Sequence, residues 1–247
     1  MDAALEFVRL RPEADDVTSF FFRPRQPLPF RAGQYLELAL PHPWPDSRGI
    51  ARPLTIASAP AEPLLQVTTR LGPSPSTFKQ ALCRLKPGDV VQATGPYGDF
   101  VYTDSHAPAV FIAGGIGITP FRSMLVDLAT RRSRPAVTLL YSSSNPDIPF
   151  RAFFDALTPA WPELRLAYTV TRPSRAWGGP TGRIDASFIG RQVRDPAHAL
   201  FFVCGPSGFV DGMLGTLEQM GVPPTRITRE GFPGYEPAVE SARVALV

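Results

Sequence analysis

A chain of 247 residues, 44% of them hydrophobic, carries enough apolar side chain to bury a substantial core and is long enough for one large domain or two modest ones. Its net charge of +3 comes from scattered arginines and lysines that never interleave with aromatics in a run, which excludes a nucleic-acid interface and leaves a basic docking face for an acidic protein as a weaker role. No apolar stretch approaches the roughly 20 residues of a membrane span, and the N-terminus has neither a basic segment nor an apolar signal core, so a cytoplasmic protein is expected.

Residues 1–104 read as a β-rich domain. Leu5–Leu10 and Val17–Arg23 alternate on either side of an acidic turn, and Gln34–Leu40, Leu54–Ser58, Leu64–Arg70 and Asp89–Thr94 follow, each bounded by Gly or Pro. Within this half only Ser76–Leu85 suggests a helix, opened by Ser76 and stopped before Pro87-Gly88. Short strands punctuated by many of the 29 prolines predict a small closed antiparallel barrel.

After a boundary in Thr103–Pro108 the pattern changes, and 105–247 reads as a second domain. Apolar strands at Ala109–Ala113, Ala136–Tyr141, Leu164–Thr169 and Ala199–Val203 alternate with helical segments near Thr119–Arg131, Phe150–Leu157 and Ser207–Gly221, and a last strand is expected at Arg226–Thr228. That alternation predicts βαβ units around a parallel sheet, with ligands beyond the carboxyl ends of the strands.

The most informative stretch is Ala109–Pro120, an apolar strand that ends in Gly114, Gly115 and Gly117 and then Thr119 and Pro120. Glycines allow a tight turn and close backbone approach, and Thr119 reads as an N-cap with Pro120 in the first turn. Such a turn aims backbone N–H groups and a helix dipole at an anion, naturally a cofactor pyrophosphate. Cys204, Gly205 and Pro206 follow another apolar strand and start a helix, which places a thiol at a helix N-terminus, although a structural cysteine fits the same pattern.

In the first half, Arg52 on a strand could clamp phosphate bidentately, with Leu54 and Thr55 pointing to opposite faces; an ordinary strand with a solvated arginine is the plainer reading. Ser76 or Thr77 serves as a helix cap whatever else it does. Near the C-terminus, Glu230 could relay a proton, and Phe232, or Tyr235 beyond it, could stack on a ring. His42, His106 and His198 have no metal-ligand spacing and read as surface residues. The two cysteines, Cys83 and Cys204, cannot supply the four ligands of an iron–sulfur cluster, and no metal site is expected.

Taken in order, these segments resemble the ferredoxin–NADP⁺ reductase superfamily over nearly the whole chain. Arg52-Pro53-Leu54-Thr55 looks like its flavin-binding Arg-x-Tyr-Ser/Thr motif, and Gly72–Thr77 is similar to its second phosphate-contacting segment. Gly95–Gly98 matches its Gly-Pro-x-Gly turn, Gly114–Pro120 its nicotinamide-nucleotide motif, and Cys204–Pro206 its Cys-Gly-Pro motif. The resemblance implies a Greek-key flavin barrel followed by an α/β nucleotide-binding domain. It implies FAD as cofactor, with Arg52, Pro53, Leu54, Thr55, Thr68, Ser76, Thr77 and Phe232 around it. NAD(P)H would lie along Gly114, Gly115, Gly117, Thr119, Pro120 and Cys204–Pro206, with Thr55, Cys204 and Glu230 closest to the chemistry.

Leu54 departs from the motif tyrosine and removes the usual aromatic stack. The absence of an acid among Ser142, Ser143 and Ser144, with Arg172, Arg175 and Arg183 following, favours NADPH over NADH. The implied activity is hydride transfer from NAD(P)H to flavin, then single electrons to a separate ferredoxin or flavodoxin. The alternatives are a flavin reductase that releases reduced flavin and a non-catalytic flavin-binding subunit of a larger complex.

Overall fold

The computed structural model describes residues 2–103, 105, 107–131 and 134–232. Alternating segments bounded by Gly and Pro pair locally into antiparallel strands: β1 (Asp2–Ala14), β2 (Val17–Pro24), β3 (Tyr35–Ala39), β4 (Ala51–Thr55), β5 (Leu65–Arg70) and β6 (Val90–Tyr97). Their order in the sheet is β4-β3-β6-β1-β2-β5. The two edges meet where Ile56 bridges Val67 and the Ala57 N–H donates to the Gln66 carbonyl at 2.7 Å, so the sheet curls on itself. Inward residues Phe7, Phe20, Phe22, Leu36, Leu38, Val67 and Val91 fill its core. Helix α1 (Thr77–Cys83) adds Phe78 and Leu82 to that core, and Ser76 Oγ caps it by accepting from the Lys79 N–H at 3.4 Å. Strand β4 starts earlier than the expected Leu54–Ser58, because Ala51 to Thr55 pair with Ala39 to Tyr35.

The second half is a five-stranded parallel sheet of order β11-β10-β7-β8-β9. Its strands are β7 (Ala109–Gly114), β8 (Val137–Ser143), β9 (Leu164–Val170), β10 (Leu200–Pro206) and β11 (Ile227–Phe232). Every residue of β7 is buried, as an uninterrupted apolar run requires of a strand covered on both faces. One face packs Phe111, Leu139 and Tyr141 against helix α2 (Thr119–Ala129) and α3 (Arg151–Asp155). The other packs Val110, Ile112, Phe201 and Val203 against α4 (Ala186–Gln192) and α5 (Ser207–Gln219).

The chain runs β7, β8, β9 in one direction and then returns to β10 on the opposite side of β7. The strand order therefore reverses between β7 and β10, which opens a crevice at their carboxyl ends. Helix α4 falls in a segment where no helix is expected; its seven residues bury only Phe188 and Ile189, too few for a visible period. Strand β11 extends four residues past the expected Thr228, in parallel register with β10.

Polar side chains join the two halves. On α2, Arg122 donates to the Ala57 carbonyl at 2.6 Å and pairs bidentately with Glu62 at 2.8 and 2.9 Å. Beside it, Ser123 Oγ donates to the Ser58 carbonyl at 2.6 Å. Both residues follow directly on the glycine turn, so the barrel is fixed against the carboxyl edge of the sheet. Among the described residues, no helix is long and apolar enough to cross a membrane.

Candidate functional site

A cleft of about 690 Å³ lies where the barrel meets the strand ends. Arg48, Arg70, the 71–76 loop and Lys79 form one wall; Gly114–Ile116, Ser142–Ser144, Thr171, Pro206, Phe209 and Phe232 form the other.

The glycine turn is built as a 3-10 turn, Gly115–Ile118, between β7 and α2. Gly115 has φ +53°, which favours glycine, and a Cβ on Gly117 would lie 2.3 Å from the Cys204 carbonyl oxygen. A Cβ on Gly114 would meet the Phe209 ring at 2.7 Å. The close approaches at Gly114 and Gly117 are thus made to protein. Thr119 is not the N-cap: the 3-10 turn begins the winding earlier, Ile118 takes the cap position, and Thr119 Oγ1 donates to the Ile116 carbonyl at 3.1 Å.

Parallel pairing sets Cys204 of β10 between Ala113 of β7 and Glu230 of β11. The Cys204 side chain is fully buried; burial, then the neighbouring Glu230 charge, push its thiol well above the usual range, against a hydrogen bond from the Gly205 N–H. The expected placement at a helix N-terminus does not hold, because α5 begins only at Ser207 and the thiol lies in the core behind the cleft. Burial raises the Glu230 carboxyl to about 7, and among the described residues its Oε2 has no hydrogen-bond partner. Its Oε1 is 3.8 Å from the position a Cβ would take on Gly98, at the end of the Gly95–Gly98 turn. Phe232 is half-buried against the sheet core and lines the cleft, with its carbonyl accepting from Ser207 Oγ at 3.2 Å. Tyr235 and His106 lie outside the described residues.

On the barrel wall, Arg52 is held tightly. Its Nη2 donates to Asp46 Oδ1 at 2.6 Å, its Nη1 to the carbonyls of Arg48, Gly49 and Ala51 at 2.9, 3.0 and 2.6 Å, and its guanidinium lies over the Phe78 ring. Hydrogen bonds from Arg48, opposed by burial and joined by those and the charge of Arg52, hold Asp46 down at about 2. Pro53 is exposed, Leu54 packs half-buried on the barrel core, and Thr55 is buried opposite Tyr35. Thr68 stands apart from the cleft: its Oγ1 bonds Ser19 Oγ at 2.8 Å and accepts from Gln66 Nε2 at 3.3 Å in a buried polar cluster, so strand alternation has turned it away.

Three cleft cations escaped the sequence reading. Arg70 pairs with Asp16 at 3.1 Å, Arg48 pairs with Asp46 at 2.8 Å, and Lys79 Nζ donates to the Arg70 carbonyl at 2.6 Å. Burial, then the charges of Arg48, Arg70 and Arg52, lower the Lys79 pKa. The available signal was the position of Arg70 and Lys79 on either side of the Gly72–Thr77 segment. His42 is also not the partnerless surface residue expected, because its ring bonds the Leu40 carbonyl at 2.6 Å and Thr77 Oγ1 at 3.0 Å. His198 is exposed and pairs with Asp195.

A family model described as an oxidoreductase NAD-binding domain matches residues 111–214, which contain the glycine turn and Cys204–Pro206. An NADPH oxidoreductase of Mycobacterium tuberculosis is 31% identical over 82% of this chain and 53% of its own length. The reductase component DmpP of phenol 2-monooxygenase from a Pseudomonas species is 32% identical over 90% of this chain and 63% of its own. The chain thus spans between half and two thirds of these relatives. A ferredoxin NADP⁺ reductase from Neisseria gonorrhoeae, solved with FAD and NADP bound, shares the fold at a TM-score of 0.79 and 20% identity, covering 93% of this chain and 98% of its own.

Proposed function

We propose that this chain, which belongs to the ferredoxin–NADP⁺ reductase superfamily, is a reductase unit that takes hydride from NADPH onto bound FAD and passes electrons singly to a separate, acidic acceptor of ferredoxin or flavodoxin type. The observation that carries the reading is the cleft itself, with a cationic barrel wall facing the glycine turn and the Cys204–Pro206 strand end. The residues present fit a dianionic cofactor with a ring: Arg48, Arg70 and Lys79 line one side, and Phe209 and Phe232 line the other. A bound flavin supplies the exchange between paired and single electrons that nicotinamide cannot easily perform.

The rest falls to the protein. Arg52 and Asp46 shape the loop beside the diphosphate region, while Thr55 and Leu54 of β4 with Phe232 bound the ring region. Gly114–Ile116 and Pro206 line the side of the cleft against which the nicotinamide is oriented, with the buried Gly117, Thr119 and Cys204 packed behind them. Orientation there does most of the catalytic work. Burial raises the Glu230 carboxyl to about 7, so it exchanges a proton with its surroundings around neutral pH. For the nucleotide, Ser142, Ser143 and Ser144 line the cleft at the end of β8 without a carboxylate, and the absence of an acid there supports NADPH.

An anaerobic visible spectrum of the purified protein, titrated with NADPH and then NADH, tests this reading. Flavin bands that bleach with NADPH at lower concentration than with NADH are expected. A protein without flavin, or with flavin that neither nucleotide reduces, overturns it.

A further inference from the structure

We propose that a second cavity, at the junction of the barrel with α2, is an effector site for a small carboxylate with a flat apolar body. The cavity has a volume of about 340 Å³ and shares no lining residue with the cleft. Small ligands settle preferentially in pockets of this size at domain junctions. Phe30 and Arg31 of the barrel, with Tyr102 on the segment leading out of it, form one side; Met124, Asp127 and Leu128 of α2 form the other.

Backbone geometry fixes these walls. Gly33 has φ +107°, and a Cβ there would meet the Phe100 carbonyl oxygen and Met124 Cε, so glycine lets the barrel loop close on α2. Gln34 ties the same loop down: its Oε1 accepts from the Arg31 N–H at 2.8 Å and its Nε2 donates to the Gly98 carbonyl at 3.1 Å. Tyr102, Met124 and Leu128 are buried and give the cavity an apolar floor. Asp127 is paired with Arg131 at 2.6 Å, so its charge is already answered. The Arg31 guanidinium, by contrast, has no ion-pair or hydrogen-bond partner among the described residues. A planar fork of donors beside an apolar floor matches a carboxylate on a flat body. A ligand held there touches both halves of the molecule and biases the alignment on which hydride transfer depends. The site stands apart from the flavin reading, whereas its effect on rate rests on that reading.

Calorimetric titration of the FAD-loaded protein with benzoate, and with its neutral counterpart benzamide, tests the site. With NADP⁺ present to fill the cleft, benzoate is expected to bind saturably and at least about 10-fold more tightly than benzamide, the worth of a charge-assisted hydrogen bond. Arg31→Gln is expected to abolish that preference with thermal stability unchanged, while Arg84→Gln, at an exposed arginine that ends α1, leaves it intact. Saturating benzoate is expected to change the rate of flavin reduction by NADPH at least about threefold in wild type and not in Arg31→Gln. Equal binding of the two probes, binding of neither, displacement of benzoate by NADP⁺, or a preference kept in Arg31→Gln overturns the site. Benzoate that binds without changing the rate overturns the effector role. Flavin that no nucleotide reduces sinks the reductase reading, and the calorimetric comparison still decides the site.

Discussion

Glu230 takes its properties from strand register. Parallel pairing of β11 with β10 sets it beside Cys204, where burial lifts its carboxyl from 4.5 to about 7. A carboxyl whose native pKa is raised favours the fold below the unfolded value, and that contribution is lost as pH rises from about 4.5 through about 7. The shift corresponds to about 3 kcal/mol. Wild-type protein should therefore lose about that much stability between pH 4.5 and pH 8 relative to Glu230→Gln, as measured by urea denaturation across that range. The rate of flavin reduction in Glu230→Gln should also lack the inflection near pH 7. Equal pH dependence of wild type and variant would remove Glu230 from the proton inventory. From the residues alone Glu230 could be singled out, but its titration depends on neighbours that only the sheet brings together. Arg52 shows the reverse: its motif was visible, yet its partner Asp46 lies on a loop whose path no local pattern gives.

At the scale of elements, local chemistry was legible wherever it also settled the fold. The apolar runs became the central strands, and Ser76 caps α1 as read. Thr119 failed as a cap because one hydroxyl before a proline cannot reveal that a 3-10 turn has already begun. Thr68 was named only through the resemblance; its hydroxyl bonds Ser19 of the neighbouring strand, a partner set by pairing across the sheet that no local pattern gives. Helix α2 carries more than the glycine turn. Its Arg122 is nearly buried, lies over the Phe153 ring and meets Glu62 from the barrel. Burial alone would push Glu62 up, but the hydrogen bonds and charge of Arg122 win and hold it below the usual range. Arg122→Met strands that carboxylate at a part-buried site and should cost about 3 kcal/mol, the low end for breaking a buried pair. Denaturant midpoints at pH 7 check this, and a change under about 0.5 kcal/mol would mean that the pair is worth no more than a surface bridge.

The whole molecule poses a question of alignment. The barrel and the parallel sheet each have their own apolar core, and the contacts joining them include Arg122–Glu62, Arg122–Ala57, Ser123–Ser58 and Asp15–Asp147. A polar interface of this kind permits relative motion unless it is well tied. Proximity and orientation govern hydride transfer, and a displacement of about 1 Å can cost about 100-fold in rate. Glu62 lies on the 57–62 turn of the barrel and is not part of the cleft lining, yet it ties the barrel to α2, which follows the glycine turn. Glu62→Gln keeps size and some hydrogen bonding but removes the charge that Arg122 faces. It should retain flavin, with an unchanged oxidised spectrum, while the flavin of the variant bleaches at least about 10-fold more slowly than wild type at saturating NADPH in anaerobic stopped flow. A wild-type rate in that variant would show that other contacts of the interface suffice to set the distance between the two walls. A lost spectrum would show instead that Glu62 supports the barrel itself rather than its alignment with the sheet.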